Sequence, residues 1–275
     1  MDHARSPIPL RPPGEPVIRG VNWLGVWTLY VKEVRRFFKV QMQTIWAPAI
    51  TTLLFLAIFM VALGGVKREV LGVAYGSFLG PGLIIMGMAQ NSFQNTVSSL
   101  IIAKVQGTIV DVLMPPLSPR ELLAAWVAGA VTRAWLVGLA IWGAMLLWPD
   151  VNVAIAHLPQ VLLFGTLGAV LLALLGVLTG LWAEKFDHGA AVTNFVVQPL
   201  TLLSGTFYAI DRLPEAMQAV SRANPFFYMI DGFRAGFIGV AEADPRLGAL
   251  VVGGLALLLW VAAWRLLESG WKVRA

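Results

Sequence analysis

The sequence predicts an all-α membrane protein with six transmembrane helices. Three observations predict it. Hydrophobic residues make up 58% of the 275 residues and charged residues only 13%, with a mean hydropathy of +0.75, whereas soluble domains are about one quarter charged. Several apolar runs reach the roughly 18 to 20 residues that a helix needs to cross a ~30 Å hydrocarbon core. Lysine and arginine gather at the flanks of those runs, where they control topology and meet anionic lipid. The same patterning adds an N-terminal amphipathic interface helix, a cytosolic helix after the second span, and short external re-entrant helices before the sixth.

The net charge of +5 and pI near 9.8 would suggest nucleic acid in a soluble chain, but here they point to lipid, and no nucleic-acid partner is expected. The sequence has no cysteine, which excludes disulfides, thiolate metal sites and cysteine nucleophiles. His3, His157 and His188 stand far apart, so no metal-ligand spacing exists.

Residues 1–20, rich in proline and arginine, read as a disordered tail without a cleavable signal. A single transmembrane domain, 21–275, follows. Over 21–42, Trp23, Trp27, Tyr30, Val34, Phe37 and Phe38 recur at helical spacing. Lys32, Glu33, Arg35, Arg36 and Lys39 supply charge, the pattern of a helix lying in the headgroup plane. Simple anchoring and contact with a cytosolic partner both fit this helix.

The six spans fall at about 45–64, 73–96, 121–147, 158–182, 189–208 and 247–267. Pro48 is placed in the first turn of the first, where proline costs little. Gly72, Gly76 and Gly80 form a small-residue ridge opening the second, suited to close helix packing or to hinging. With a cytosolic N-terminus, the inside segments carry thirteen basic residues and the outside segments six, with Arg133 inside the third span. The positive-inside rule then places both termini in the cytosol.

The cytosolic connection 97–120 has a stripe of Ile101, Ile102, Val105, Ile109, Val110 and Leu113 that predicts an amphipathic helix, stopped at Pro115-Pro116. Ser118-Pro119-Arg120-Glu121 reads as the next helix start, with Ser118 as N-cap. The external region 206–247 holds two short segments. "AIDRLPEAMQAVSRA" (209–223) is a short helix with Pro214 near its first turn. "NPFFYMIDGFRAGFIG" (224–239) is capped by Asn224, begins at Pro225, and allows Asp231 and Arg234 to pair three residues apart. At about fifteen residues it is too short to span, and Gly232, Gly236 and Gly239 weaken it as a free helix, so it lies at, or dips into, the outer leaflet.

These motifs resemble a known family. "LLSGTFYAIDRLPEAMQAVSRANPFFYMIDGFRAGFIG" resembles the C-terminal fingerprint of type-2 ABC transporter permeases, especially the bacterial YadH-type group. "SFLGPGLIIMGM" (77–88), "VDVLMPPLSPRELL" (110–123) and "FDHGAAVTNFVVQPLTLLSGTFY" (186–208) carry the likeness over most of the chain beyond the tail. The resemblance implies a coupling helix between the second and third spans and a permease dimer, expected to be a homodimer, in the inner membrane. It also implies two cytosolic ATPase subunits that hold ATP and magnesium, and usually export. The chain itself is expected to hold no cofactor, metal or catalytic residue: it contains no Gly-Lys pair for a phosphate loop, and "LSGTF" (203–207) lacks the rest of the ATPase signature.

On that resemblance, Lys104, Gln106, Asp111, Leu113, Met114 and Ser118 are the expected ATPase contacts, while Glu184, Lys185, Asp187 and His188 form a solvated turn. Polar residues within spans are the candidates for a translocation path: Gln90, Asn91, Gln94 and Asn95 in the inner half of the second span, and Asn194, Gln198, Thr201 and Gly205 along one face of the fifth. Interhelical hydrogen bonding fits them equally well. Arg133 needs a partner or water, and a gating or lipid-headgroup role stays open. The alternative function, an ion-coupled carrier, lacks an acidic coupling residue and an inverted repeat. An intramembrane enzyme lacks its nucleophile and metal motifs. The cargo suited to such a path is amphipathic, in a family that moves drugs, polysaccharides and lipid-linked sugars.

Overall fold

The computed structural model describes residues 20–62, 69–148 and 151–272. The proposed tail, apart from Gly20, lies outside the described residues, as do Lys67, Arg68 and Arg274 of the charge count. The described chain is helical apart from one short pairing of β1 (Glu69–Val70) with β2 (Val73–Ala74).

The interface helix is α1 (Trp23–Phe38), capped by Asn22, whose side chain accepts from the Gly25 amide at 2.9 Å. Four helices are long and apolar enough to cross a membrane: α2 (Met42–Ala62), α5 (Pro119–Met145), α6 (Leu158–Trp182) and α11 (Pro245–Ser269). The last three match the expected spans within two residues at either end. α2 begins earlier than expected, so Pro48 lies inside it rather than in its first turn. A proline there removes an amide and its ring presses on the carbonyl four residues back. The helix answers with a π turn at Met42–Trp46, in which the Ala47 amide reaches Met42 O.

The centre of the bundle is α3 (Tyr75–Val105), 31 residues and about 46 Å long at ~1.5 Å per residue. It is too polar to rank with the four apolar helices, yet most of its residues are buried, because α6, α5, α10 (Pro225–Ile238) and α2 surround it. Small residues let α3 and α6 meet closely. Ser92 Oγ donates to Ala169 O at 2.6 Å and Thr96 Oγ1 to Ala173 O at 2.9 Å, while Gly168, Gly176 and Gly180 leave room for the facing side chains.

Two expectations for this region are corrected. The second span does not stop near 96: nothing breaks the helix until Gly107, which sits at φ +70. Ile101 and Val105 therefore belong to α3, and the loop holds only the five-residue α4 (Ile109–Leu113). The supposed stripe is split, with Ile101 buried, Ile102, Ile109 and Leu113 half-buried, and Val105 and Val110 exposed. Gly72 is not in the helix at all but in the β1–β2 turn at φ +77, while Gly76 and Gly80 pack against Met60, Val151 and Val153.

The expected fifth span is shorter and broken in pattern. α7 (Phe186–Val192) passes through a π turn at Thr193–Val197 into α8 (Gln198–Leu202). Again the π turn stands just ahead of a proline, Pro199. The helix ends six residues before the predicted limit, and Gly205 lies beyond it at φ +72, off the Asn194–Gln198–Thr201 face. The 209–223 segment divides into a 3-10 turn (Ile210–Arg212) and α9 (Glu215–Ala223), with Pro214 as its N-cap.

At the foot of α9, Asn224 Nδ2 donates to Leu200 O at 2.7 Å and to Ser204 Oγ at 2.9 Å. Asn224, in an extended conformation, breaks the helix, and α10 (Pro225–Ile238) follows, capped by Asn224 Oδ1 on the Phe226 amide and closed by Gly239 at φ +76. α10 lies along the first half of α6. Met229 fits Gly168, Gly232 faces Phe164, Gly236 faces Val161, and Gly236 O accepts from the His157 amide at 2.7 Å. The glycines that weaken α10 alone are what let its backbone seat on α6.

Candidate functional site

At the end of the bundle that holds α1, α4 is braced rather than loose. Ser118 caps α5: its hydroxyl accepts from the Glu121 amide, and Glu121 Oε2 accepts from the Ser118 amide at 2.6 Å. Glu121 Oε1 also accepts the Asn22 amide at 2.6 Å, and Asn22 Nδ2 reaches Pro116 O at 3.2 Å. One carboxylate thus ties the start of α1 to the corner that follows α4. Between them is a cleft of about 320 Å³, with Leu24, Thr28 and Lys32 on one wall and Asp111, Val112 and Pro115 on the other.

The six expected ATPase contacts are placed unequally around this corner. Gln106, Asp111, Met114 and Ser118 are exposed and Leu113 is half-buried. Lys104 turns inward, donating through Nζ to Leu181 O and to Ala183 O at 3.3 Å at the end of α6. Lys272 bonds Glu184 Oε1 at 2.7 Å and Trp182 O at 3.4 Å. Two ammonium groups therefore hold the carbonyl end of α6, where the helix dipole favours cations. The bond from Lys272 also lowers the pKa of Glu184, so the 183–188 turn is partly structural.

A second polar set was not legible as such. Glu33, in the charge-rich stretch of α1, is only 2% exposed. Its Oε2 pairs with Arg36 at 3.0 Å and its Oε1 accepts from Ser99 Oγ at 2.8 Å. Arg36 continues to Asn95 Oδ1 at 3.0 Å, Asn95 O at 2.8 Å and Ser98 Oγ at 3.1 Å. Asn95, a candidate for the path, is therefore turned toward α1.

The remaining path candidates meet in the middle of the bundle. Gln90, Asn91 and Gln94 lie halfway along α3 rather than in its inner part. With Thr193, Val197 and Gln198 they line a cleft of about 210 Å³. Asn91 Nδ2 donates to Gly87 O at 3.0 Å, which turns its Oδ1 toward Arg133 Nη2 at 2.8 Å. Asn194 is exposed in the same π turn; Thr201 is buried, its hydroxyl spent on Val197 O. Glycine at 205 contributes its carbonyl elsewhere.

That carbonyl accepts from Arg234 Nη2 at the opposite end of the bundle. Asp231 and Arg234 do not form the ion pair expected from their spacing. Asp231 instead accepts the amides of Glu242 and Ala243 at 2.9 to 3.1 Å. Arg234, only 1% exposed, pairs with Glu242 at 3.4 Å and lies 3.8 Å over the Phe78 ring. Glu242 Oε2 accepts the Ile210 amide at 2.7 Å. Glu242 was missed because it looked like a loop charge; its two partners arrive from α10 and from the turn before α9. Burial raises its pKa, against the opposing effect of Arg234.

A central polar cleft, a braced loop and four apolar crossing helices define a multi-pass membrane transport subunit. The comparisons name which kind. The family model of the ABC-2 type transporter matches residues 25–238. The inner membrane transport permease YadH of Escherichia coli K12 is 34% identical over 255 residues, covering 92% of this chain and 98% of that protein. Nodulation protein J of Rhizobium leguminosarum bv. viciae is 26% identical, over 85% of this chain and 89% of its own. Nodulation protein J of Rhizobium meliloti strain 1021 is 25% identical, over 84% and 87%.

The chain belongs to the ABC-2 type transporter family. It is a membrane subunit and not an enzyme; ATP is hydrolysed on a separate ABC ATPase with which such subunits associate.

Proposed function

We propose that this chain is the permease of an ATP-driven exporter of amphipathic molecules across the inner membrane. Two copies, as a homodimer, work with two ATPase subunits that hold the ATP and magnesium. In this reading α2, α3, α5, α6, the α7–α8 segment and α11 are the six spans, both termini are cytosolic, and α9–α10 is a re-entrant hairpin. The break at Asn224 and the seating of the short α10 along half of α6 support the hairpin. The excess of basic residues on the α1 side supports the orientation.

One observation carries the functional reading: α4 is an exposed tip on a rigid mount. Asp111 and Met114 face outward, Met114 being 76% exposed, while Gly107 and the Ser118–Glu121–Asn22 clasp fix the tip to α3, α5 and α1. Movement imposed on α4 by a partner is therefore passed to α3, which forms one wall of the polar cleft, and to α5, which carries Arg133 behind it. The inner-membrane location draws on the likeness to the inner membrane transport permease of Escherichia coli.

Gentle purification of the tagged chain from its native membrane tests this. A stoichiometric polypeptide carrying a phosphate-loop ATPase motif is expected to travel with it. A chain recovered alone, with transport driven by an ion gradient, would overturn the proposal.

A further inference from the structure

Arg133 is 6% exposed near the middle of α5, and its hydrogen bond to Asn91 is its only one among the described residues. Among the described residues its Nε has no partner, and no carboxylate lies within salt-bridge reach. Glu33, the buried carboxylate of α1, is committed to Arg36 and Ser99. Guanidinium stays protonated in proteins, and a charge at this depth requires a counter-ion. None of the facing elements α1, α3 or α5 supplies one.

Asn91, which bonds Arg133 from one side, forms the wall of the central cleft on the other. Beside Asn91 on α3 stand Gln90 and Gln94, and Gln198 faces them from the α7–α8 segment at the cleft's exposed mouth; the amides of all three make no hydrogen bond to any described residue. Free amide donors in front, with an uncompensated cation one side chain behind them in a low-dielectric interior, are the arrangement that stabilises an anion. Phe195 and Val196 stand exposed in the π turn that shapes the cleft, Phe195 at 81%. They offer an apolar surface for a tail.

We infer that the central cleft binds the anionic group, phosphate or carboxylate, of an amphiphile, and that Arg133 supplies its counter-charge through Asn91. This deepens the permease reading and rests on it for the idea that the occupant is moved. The same chemistry would come from a membrane lipid headgroup or from the cargo itself.

The test uses the full chain in phosphatidylcholine nanodiscs, with dodecyl phosphate as probe and dodecyl maltoside as neutral control, read by native mass spectrometry. Dodecyl phosphate is expected to bind at least about tenfold more tightly than the control, a difference typical of one charge-assisted contact. Arg133→Gln is expected to abolish that preference, and Arg133→Lys to keep it. Asn91→Asp keeps the volume and places a carboxylate beside Arg133; it is expected to abolish the preference even if Arg133→Gln proves unstable. Competition by phosphatidylglycerol in the disc would assign the occupant as lipid. Persistence of probe binding in its presence would assign it as cargo. Equal binding of phosphate and maltoside by the wild-type chain, or an undiminished preference in Asn91→Asp, would overturn the inference. No ATPase is needed for this measurement, so its failure leaves the permease reading standing, and loss of the ATPase partner leaves the anion site standing.

Discussion

Glu121 Oε1 accepts the backbone amide of Asn22 at 2.6 Å, across 99 residues of sequence. The same carboxylate closes the capping box with Ser118, so the N-termini of α1 and α5 share one anchor. Glu121→Ala removes both functions. A lost cap costs about 1 kcal/mol, and α1 is left without its tie to the corner after α4. Hydrogen exchange should rise at the amides of Asn22 and Gly25, with a modest drop in thermal midpoint. Unchanged exchange there would mean that α1 is held by its other contacts alone.

The approach of α3 and α6 depends on Gly176. A methyl group built there would stand 2.5 Å from the Phe93 carbonyl oxygen and meet Thr96 Oγ1. Neither the backbone nor a hydroxyl bonded to Ala173 can yield cheaply. Gly176→Ala should destabilise by about 1 to 3 kcal/mol or more, as overpacking does. At Gly143, open space surrounds the same position, so Gly143→Ala should be neutral or slightly stabilising. Thermal unfolding in detergent of the two variants makes the comparison.

Glu33→Gln keeps an acceptor for Ser99 but leaves Arg36 without its carboxylate, close to Arg133. Removing one partner from a buried pair costs about 3 to 5 kcal/mol. Arg36 retains 26% exposure, so screening reduces the expected loss to about 1 to 3 kcal/mol. The unfolding midpoint should fall and become sensitive to salt. A wild-type midpoint would show that the pair adds nothing to stability.

Glu242 gives the fold a pH dependence whose sign follows from burial. Its carboxyl binds a proton more readily in the folded chain than in the unfolded one. Its contribution is therefore fully present below the ordinary carboxylate value and is lost as pH rises through the raised value. Thermal midpoints measured from about pH 4 to 8 should decline upward through that window in the wild type. The slope should be reduced in Glu242→Gln, and parallel curves for the two would contradict the assignment.

Much of this architecture was legible in the sequence because lipid imposes a strong constraint on apolar runs. The limits of α6 were read to the residue, and the Ser118–Glu121 cap follows from local chemistry alone. α3 was read short because serines, asparagines and glutamines looked like the end of a span. They are tolerated because other helices, and not lipid, surround them. The burial of Glu33 and the pairing of Arg234 with Glu242 were hidden for a different reason. Both depend on which segments fold against each other, which periodicity within one segment does not contain. The cleft was half visible: polar spacing picked out Gln90, Asn91, Gln94 and Gln198, but nothing local separated them from Asn95, which faces Arg36.

The central claim is that α4 is the contact through which a separate ATPase drives the polar cleft. The most direct measurement is ATP hydrolysis by the chain with its co-purified partner in lipid, for wild type, Asp111→Arg and Leu113→Glu. The account predicts altered hydrolysis in both variants while the chain's own unfolding midpoint is nearly unchanged, because position 111 is exposed and 113 half-buried. Hydrolysis identical to wild type in both, with the partner still bound, would contradict it.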